Sequence, residues 1–189
     1  MGVQIIENGL YIDSSSPPLS PKRGQIWKER NVNGDLIKQW FWNGTYWLST
    51  NQLIQKVGEA TGAASSSNSA LPHYLVIDST SNNLFVEEFT VIGSSNAGSI
   101  YSNTDYWNCN LVGFGSMGVL EGTLISSIDT KNWTNSDTYK ISTAKNINFF
   151  LQVSSASIKY RILVLSIVKN GSAPATFFLG QIKYRLARV

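Results

Sequence analysis

From residue 76 onward, apolar and polar positions alternate in short runs broken by Gly, Ser and Asn, the pattern of strands buried on one face. In "NINFFLQVS" (146–154), Ile147, Phe149, Leu151 and Val153 point one way, and Asn148, Gln152 and Ser154 the other. In "GQIKYRLARV" (180–189), Ile182, Tyr184 and Leu186 alternate with Lys183 and Arg185. Between them, residues 156–180 read as a long hairpin closed by Asn170-Gly171 and Pro174. Further strands are expected over 74–78, 83–92, 110–115, 118–128 and 138–142, about eight in all. That number over residues 76–189 predicts a β-sandwich, jelly-roll-like.

One strand breaks the alternation. Along 158–168, Ile158, Tyr160, Ile162, Val164 and Val168 form one face. The opposite face begins with Lys159 and Arg161 and then turns apolar at Leu163, Leu165 and Ile167. A strand apolar on both faces needs cover on both. In a two-layer sandwich the second cover is expected from another subunit, which makes Leu163, Leu165 and Ile167 candidate interface residues.

Residues 1–50 have a different texture. "RGQIWKERNVNGDLIKQWFWNGTYWLS" reads as a three-stranded meander: Gln25–Arg30, a turn at Asn33-Gly34, Leu36–Trp42, a turn at Asn43-Gly44, and Thr45–Ser49. Asn-Gly suits such turns because both residues tolerate positive φ. Alternation would place Ile26, Leu36, Trp40 and Trp47 on one face, with Trp27 and Trp42 on the other. So few residues build no deep core, and each large ring buries on the order of 150–250 Å². Trp27, Trp40, Trp42 and Trp47 are therefore expected to be the core of this module; the competing reading is a platform for stacking a ligand.

The middle segment, 51–75, is expected to be a short helix and a tether. Leu53, Ile54, Val57 and Ala60 fall on one helical face behind Asn51 as N-cap. A helix of about ten residues forms only by packing, so Leu53, Ile54 and Val57 are candidates for contact between subunits. "AASSSNSA" then reads as a flexible link.

Composition narrows the function. Of the 189 residues, 42% are hydrophobic and only 14% charged, with 15 Lys and Arg against 12 Asp and Glu. Ser, Asn and Thr supply the polar surface, and no dense basic run or nucleic-acid motif is present, so a nucleic-acid partner is not expected. No apolar run is long enough to span a membrane, and no signal peptide is visible at the N-terminus. The single cysteine, Cys109, rules out an internal disulfide framework and reads as a small buried hydrophobe.

Chemistry is hard to build from these residues. The single histidine, His73, falls at the end of the tether, where a triad base would lack preorganisation. Glu87 and Glu88 are neighbours on a strand, expected to project to opposite faces. "GFGSMG" (113–118) lacks the Lys and the helix of a phosphate loop. No catalysis, cofactor or metal site is expected. Binding is better provided for. "IYSNTDYWNCN" offers Tyr101, Asp105, Tyr106 and Trp107, and "IDTKNWTNSDTY" offers Asn132, Trp133 and Asp137. Flat rings beside amides and carboxylates suit a glycan; the competing reading makes Trp107 and Trp133 core plugs or interface anchors. Lys159, Arg161, Lys183 and Arg185 could face one another across the last hairpin, where like charges repel unless an anion or acidic surface intervenes.

Pro21, Gly24, Gln25 and Trp27, followed by Leu36, Trp40, Gly44, Trp47 and Leu48, fit a loose pattern: Pro-x-x-Gly-[Asp/Gln]-x-Trp, a hairpin, Leu-x-x-x-Trp, a Gly turn and Trp-[Val/Leu]. In this the first fifty residues resemble a small module of tailed-bacteriophage fibre and other virion proteins. The chain departs from it in having Gln25 where Asp is commoner, and in the added Phe41 and Trp42. The resemblance implies a virion protein, usually trimeric and made in the host cytoplasm. Residues 1–50 would dock to other virion subunits, 51–75 would tether, and 76–189 would recognise a host surface glycan. Two alternatives stand beside it: a head decoration or baseplate protein gripping other virion subunits, and a monomeric carbohydrate-binding module.

Overall fold

The structure, a computed structural model, describes residues 5–7, 11–62, 70–72, 83–95, 101–114, 123–133, 141–151 and 162–189. The chain is all-β, and among the described residues there is no helix. Its strands are β1 (Ile5–Glu7), β2 (Tyr11–Ser14), β3 (Ile26–Arg30), β4 (Leu36–Trp42), β5 (Trp47–Ser49), β6 (Leu53–Gly62) and β7 (Ala70–Pro72). They continue with β8 (Asn83–Ser95), β9 (Tyr106–Phe114), β10 (Thr123–Asp129), β11 (Ile141–Leu151), β12 (Ile162–Asn170) and β13 (Thr176–Arg188). The candidate strand at 74–78 lies outside the described residues.

The strand β13 organises everything else. Along one edge it pairs with β8 from Thr176 to Ala187. Along the other it pairs with β6 from Thr176 to Tyr184, then with β5 at Ala187 and Arg188. β5 and β6 thus lie end to end on the same edge of β13. Beyond β6 comes β7, beyond β8 comes β11, and beyond β5 the sheet continues through β4, β3, β2 and β1. A second sheet, β10-β9-β12, covers one face of the first. Between the sheets lies a core containing Val57, Phe89, Trp107, Leu111, Leu151, Leu163, Leu165, Ile167, Phe178 and Ile182. The whole is a β-sandwich with a small aromatic module extending one sheet.

The expected helix at 51–60 is a strand, and the reason is a β-bulge. Gly180 faces Gly58 but Gln181 faces Lys56, so Val57 is the extra residue. Val57 and Gly58 are therefore both buried, and beyond them Ala60 and Gly62. This shifts the inward set from 53, 55 and 57 to 58, 60 and 62, and the residual spacing of Leu53, Val57 and Ala60 imitates one face of a helix.

In the module Trp27 lies opposite Trp40, and Trp42 opposite Trp47. Trp27, Trp40 and Trp47 are buried in one cluster with Trp42 packed on it, which corrects the expected placement of Trp27 and Trp42 on the other face. Trp27 stacks on Trp40 at 5.8 Å and meets Trp47 edge-on at 5.7 Å. Pairing fixes Ile26 opposite Phe41 rather than beside Trp40. The Pro-x-x-Gly-Gln signature has a local basis as well. Gly24 sits at φ +83°, its N–H bonds Trp42 O at 2.8 Å, and Gln25 Oε1 accepts the N–H of Lys22 at 3.1 Å. That is a role an Asp carboxylate would also fill.

Candidate binding surfaces

The residues expected to bind a glycan do converge. Thr176, the first residue of β13, faces Gly62 and Ser95, and the loops around it carry Tyr101, Asp105, Tyr106, Trp107, Asn132 and Trp133. Arg188, at the other end of β13, faces Trp47. At about 3.3 Å per residue the two ends of this strand stand roughly 40 Å apart. The candidate loops and the aromatic module therefore occupy opposite ends of one strand.

Burial, however, takes the large rings away from any ligand. Trp107 and Trp133 are 0% and 5% exposed, and Tyr101 is buried. Phe178 meets Trp107 edge-on at 5.9 Å and Trp133 at 6.0 Å, and Tyr101 lies edge-on to Trp133 at 5.8 Å. The polar atoms of these rings are also engaged internally. Trp107 Nε1 donates to Pro174 O at 2.8 Å, Trp133 Nε1 to Thr143 Oγ1 at 2.9 Å, and Tyr101 Oη bonds Thr176 Oγ1 at 2.8 Å. Glycines make the space. A Cβ on Gly62 would come within 2.5 Å of the Trp107 ring, and one on Gly93 would overlap the Trp133 ring. These three residues are plugs of the core, which corrects their assignment as a sugar platform.

Asp105 is likewise committed to the fold. Its Oδ1 accepts the Ser172 N–H at 2.6 Å, and its Oδ2 accepts from Thr104 Oγ1 at 2.9 Å and Ser102 Oγ at 3.1 Å. The Ser172 N–H above all, then the two hydroxyls, hold its carboxyl below the usual aspartate range. The carboxylate welds the 101–105 loop to the turn between β12 and β13. Among the described residues at this end, the accessible ones include half-buried Tyr106 with Lys131 Nζ 4.3 Å above its ring, exposed Asn132, and Asp129. Asp137 lies outside the described residues.

The interface candidates divide. Leu163, Leu165 and Ile167 are at most 1% exposed within a single chain. They fill the core between the sheets, as does Val57, and no partner can reach them. The face expected to meet another subunit is thus the core face, while the opposite face of the strand carries Val164 and Val168, 9% and 38% exposed. Leu53 and Ile54 instead are 42% and 63% exposed.

Two features escaped the sequence reading. Leu36 and Ile37 are exposed and, with Lys38, Leu53 and Leu186, border a groove of about 440 Å³ where the module joins the sandwich. Two adjacent apolar residues at the start of a strand were the available signal, since both cannot face one core. The second is a set of ion pairs. Val86 faces Tyr184 and Glu88 faces Lys183, so Glu87 is a bulge residue. Both glutamates consequently reach the same face, contrary to expectation, and each has its own cation: Lys183 for Glu88 at 2.8 Å, Arg185 for Glu87 at 2.7 Å. Lys183 and Arg185 are thereby neutralised, whereas Lys159 and Arg161 lie outside the described residues.

No group of three or more His, Cys, Asp and Glu side chains that could hold a metal occurs among the described residues. Cys109 is fully buried, and burial, with Asp129 adding to it, pushes its thiol far above the usual range. No helix among the described residues is long and apolar enough to cross a membrane.

The chain matches no protein-family model and no curated protein. Among solved structures it is similar to a xylan-binding module, CBM15, at TM-score 0.36 and 10% identity, over 72% of this chain and 97% of that one. It is also similar to a chain in the structure of infectious bursal disease virus Gx strain, at TM-score 0.31 and 12% identity, over 74% of this chain. The match spans only 33% of the viral chain. Likenesses this distant carry no argument about binding or activity.

Proposed function

We propose that this chain is a non-enzymatic structural protein of a tailed-phage particle, a short fibre that docks by residues 1–50 and turns the far end of its sandwich outward to a host surface. The observation that supports this most is the placement of the two ends on β13: the aromatic module at Arg188 and the loop cluster at Thr176. A protein that must join a particle and reach away from it needs two separate surfaces, and this fold separates them by the length of its longest strands.

The docking end has the right chemistry. The tryptophans fill the module's core, yet Leu36 and Ile37 remain exposed side by side at the groove, an apolar pair open to a partner. Leu53, which lines the groove, and its exposed neighbour Ile54, opposite Lys183, are the residues through which three copies would associate. A trimer has a direct check in light scattering on the intact chain, and replacing Leu53 and Ile54 by Lys is expected to reduce its mass to that of one chain.

The decisive experiment is on particles. Purified virions of the virus that encodes the chain are expected to contain it by mass spectrometry, and to lose it when Leu36 and Ile37 are both replaced by Asp. The soluble variant should retain its tryptophan emission, since neither residue is in the core. Absence of the wild-type chain from particles would overturn the reading.

A further inference from the structure

The open face of the large sheet carries a second surface. Burial along β13 alternates: Thr176, Phe178, Gly180 and Ile182 are buried, whereas Phe177, Leu179, Gln181 and Lys183 face away from the small sheet. Across the register, Phe177 lies between Thr61 and Ser94, Leu179 faces Ile92, and Gln181 faces Thr90. No described strand covers this face. We infer that it is a binding platform for a neutral, extended oligosaccharide, with Phe177 as the stacking ring.

Three properties select that ligand. The first is charge. The face carries Lys56, Lys183 and Arg185 and, opposite in sign, Glu59, Glu88 and Glu87, each cation paired with one carboxylate. Three charges of each sign cancel, so the surface has no net attraction for a polyanion and complements an uncharged chain. Lys183 and then Thr90 hold the Glu88 carboxyl below its usual range.

The second is the mixture of groups. Phe177 is 43% exposed, enough for one face of its ring to lie on the C–H face of a sugar. Around it stand polar side chains rather than more rings: Thr61, Ser94 and Gln181, whose amide has no partner among the described residues, and Thr90, which donates to Glu88 at 3.0 Å. Few polar groups placed beside an apolar surface are what a small-ligand site needs. A protein partner would instead want a clustered aromatic or Arg anchor inside a water-excluding rim; around Phe177 the apolar residues are thinly spread, and the cluster of Tyr46, Phe85 and Phe150 lies at the far end of the face, beside Arg185.

The third is rigidity. These side chains project from hydrogen-bonded strands in the middle of the sheet, so binding orders little that is not ordered already.

This inference rests on the reading that the sandwich faces a host, and it moves the contact from the buried loop rings to the sheet. Its test is calorimetric titration of the full chain with cellohexaose, xylohexaose and maltohexaose, and with heparin as the charged comparison. At least one neutral sugar should bind, and heparin should not. Phe177→Ala is expected to weaken binding about tenfold or more, Gln181→Ala less, Tyr106→Ala not at all, and added salt should leave affinity unchanged. Phe177 is half outside the core, so its variant should keep the wild-type melting curve. Binding lost in Tyr106→Ala but kept in Phe177→Ala would overturn the inference while preserving a glycan-binding tip. Failure of every neutral sugar also overturns it. In that case, blocking of particle adsorption by the soluble chain would show whether the host-recognition reading survives.

Discussion

At the scale of single residues, the sandwich is set by glycines beneath large rings. Gly93 lies under Trp133 and Gly62 under Trp107, and a Cβ on Gly58 would come within 2.7 Å of Leu165 Cβ. In each case the missing side chain brings the sheets together where the facing residue is large, which is interlocking of unequal volumes. Gly93→Ala is expected to lower stability by roughly 1–3 kcal/mol, the usual loss on overpacking a filled core. Denaturant unfolding of the variant measures it, and adding Trp133→Phe to Gly93→Ala should recover part of the loss. Asp105 supplies a different test. Its folded-state affinity for protons is depressed by Ser172, Thr104 and Ser102, so the unfolded chain takes up the proton first. The stability it confers is therefore complete above about pH 4, the ordinary Asp value, and is lost as pH falls through the lower folded value. Melting temperatures measured from neutral to acid pH should fall less steeply in Asp105→Asn than in the parent. Parallel curves for the two proteins would mean the carboxylate contributes no linkage.

At the scale of elements, the strands that alternate cleanly were legible and those with an extra residue were not. β13 follows the sequence pattern over Thr176–Ile182 because one core face and one open face leave period two intact, whereas β12, apolar on both faces, was legible as a strand but not as to which face meets the core. β6 fails because the bulge at Val57 doubles an inward position, and β8 hides the common face of Glu87 and Glu88 for the same reason. β1 and β2 were missed altogether: each is short, and β2 owes its place to tertiary bonds. The Trp27 Nε1–H donates to Ser14 O at 3.0 Å, and Arg30 pairs with Asp13 at 2.8 Å. For the loops, composition marks Trp107 and Trp133 beside Asn and Asp, but whether a ring faces inward depends on the glycine opposite, on another strand. The seam between module and sandwich is equally non-local. Arg188 pairs with buried Glu29 at 2.8 Å and lies over the rings of Trp27 and Trp40, while Trp40 Nε1 donates to the same carboxylate at 2.9 Å. Arg188→Ala leaves Glu29 with less than its full set of partners and is expected to cost roughly 1.5–3 kcal/mol, as for other hydrogen bonds to charged groups. The loss should register in the emission of the module tryptophans, with Glu29→Gln milder because it keeps an acceptor for Trp40.

At the scale of the whole molecule, the question is whether module and sandwich can part company. Several contacts argue that they unfold together. β13 hydrogen-bonds to β5 and to β8 at the same residue, Ala187. Leu186 packs on both the tryptophan cluster and the sandwich core. Tyr46, from the second turn of the module, stacks on Phe150 of β11 at 4.3 Å. Arg185 donates to the carbonyls of Ser49 and Thr50 at 2.9 and 2.5 Å, fixing the link from β5 to β6. A strand shared by two units transmits loss of order in either one, because releasing β5 or β6 bares an edge of β13 and the side chains behind it. With Trp107 and Trp133 both replaced by Phe, the remaining tryptophan emission comes from the module alone, while far-ultraviolet dichroism reports mainly the larger sandwich. The two denaturant curves are expected to superimpose, the mark of one cooperative transition; a separate, earlier emission change would mean that the module melts on its own. A fragment of 76–189 provides the complementary case. It lacks β6, so β13 keeps β8 on one edge but loses its partner on the other from Thr176 to Tyr184, and Leu165 and Trp107 lose Gly58 and Gly62 as their floor. The fragment is expected to associate or stay partly unfolded rather than yield a stable monomer, and its elution with light scattering would show a folded monomer only if the ladder across β13 were dispensable.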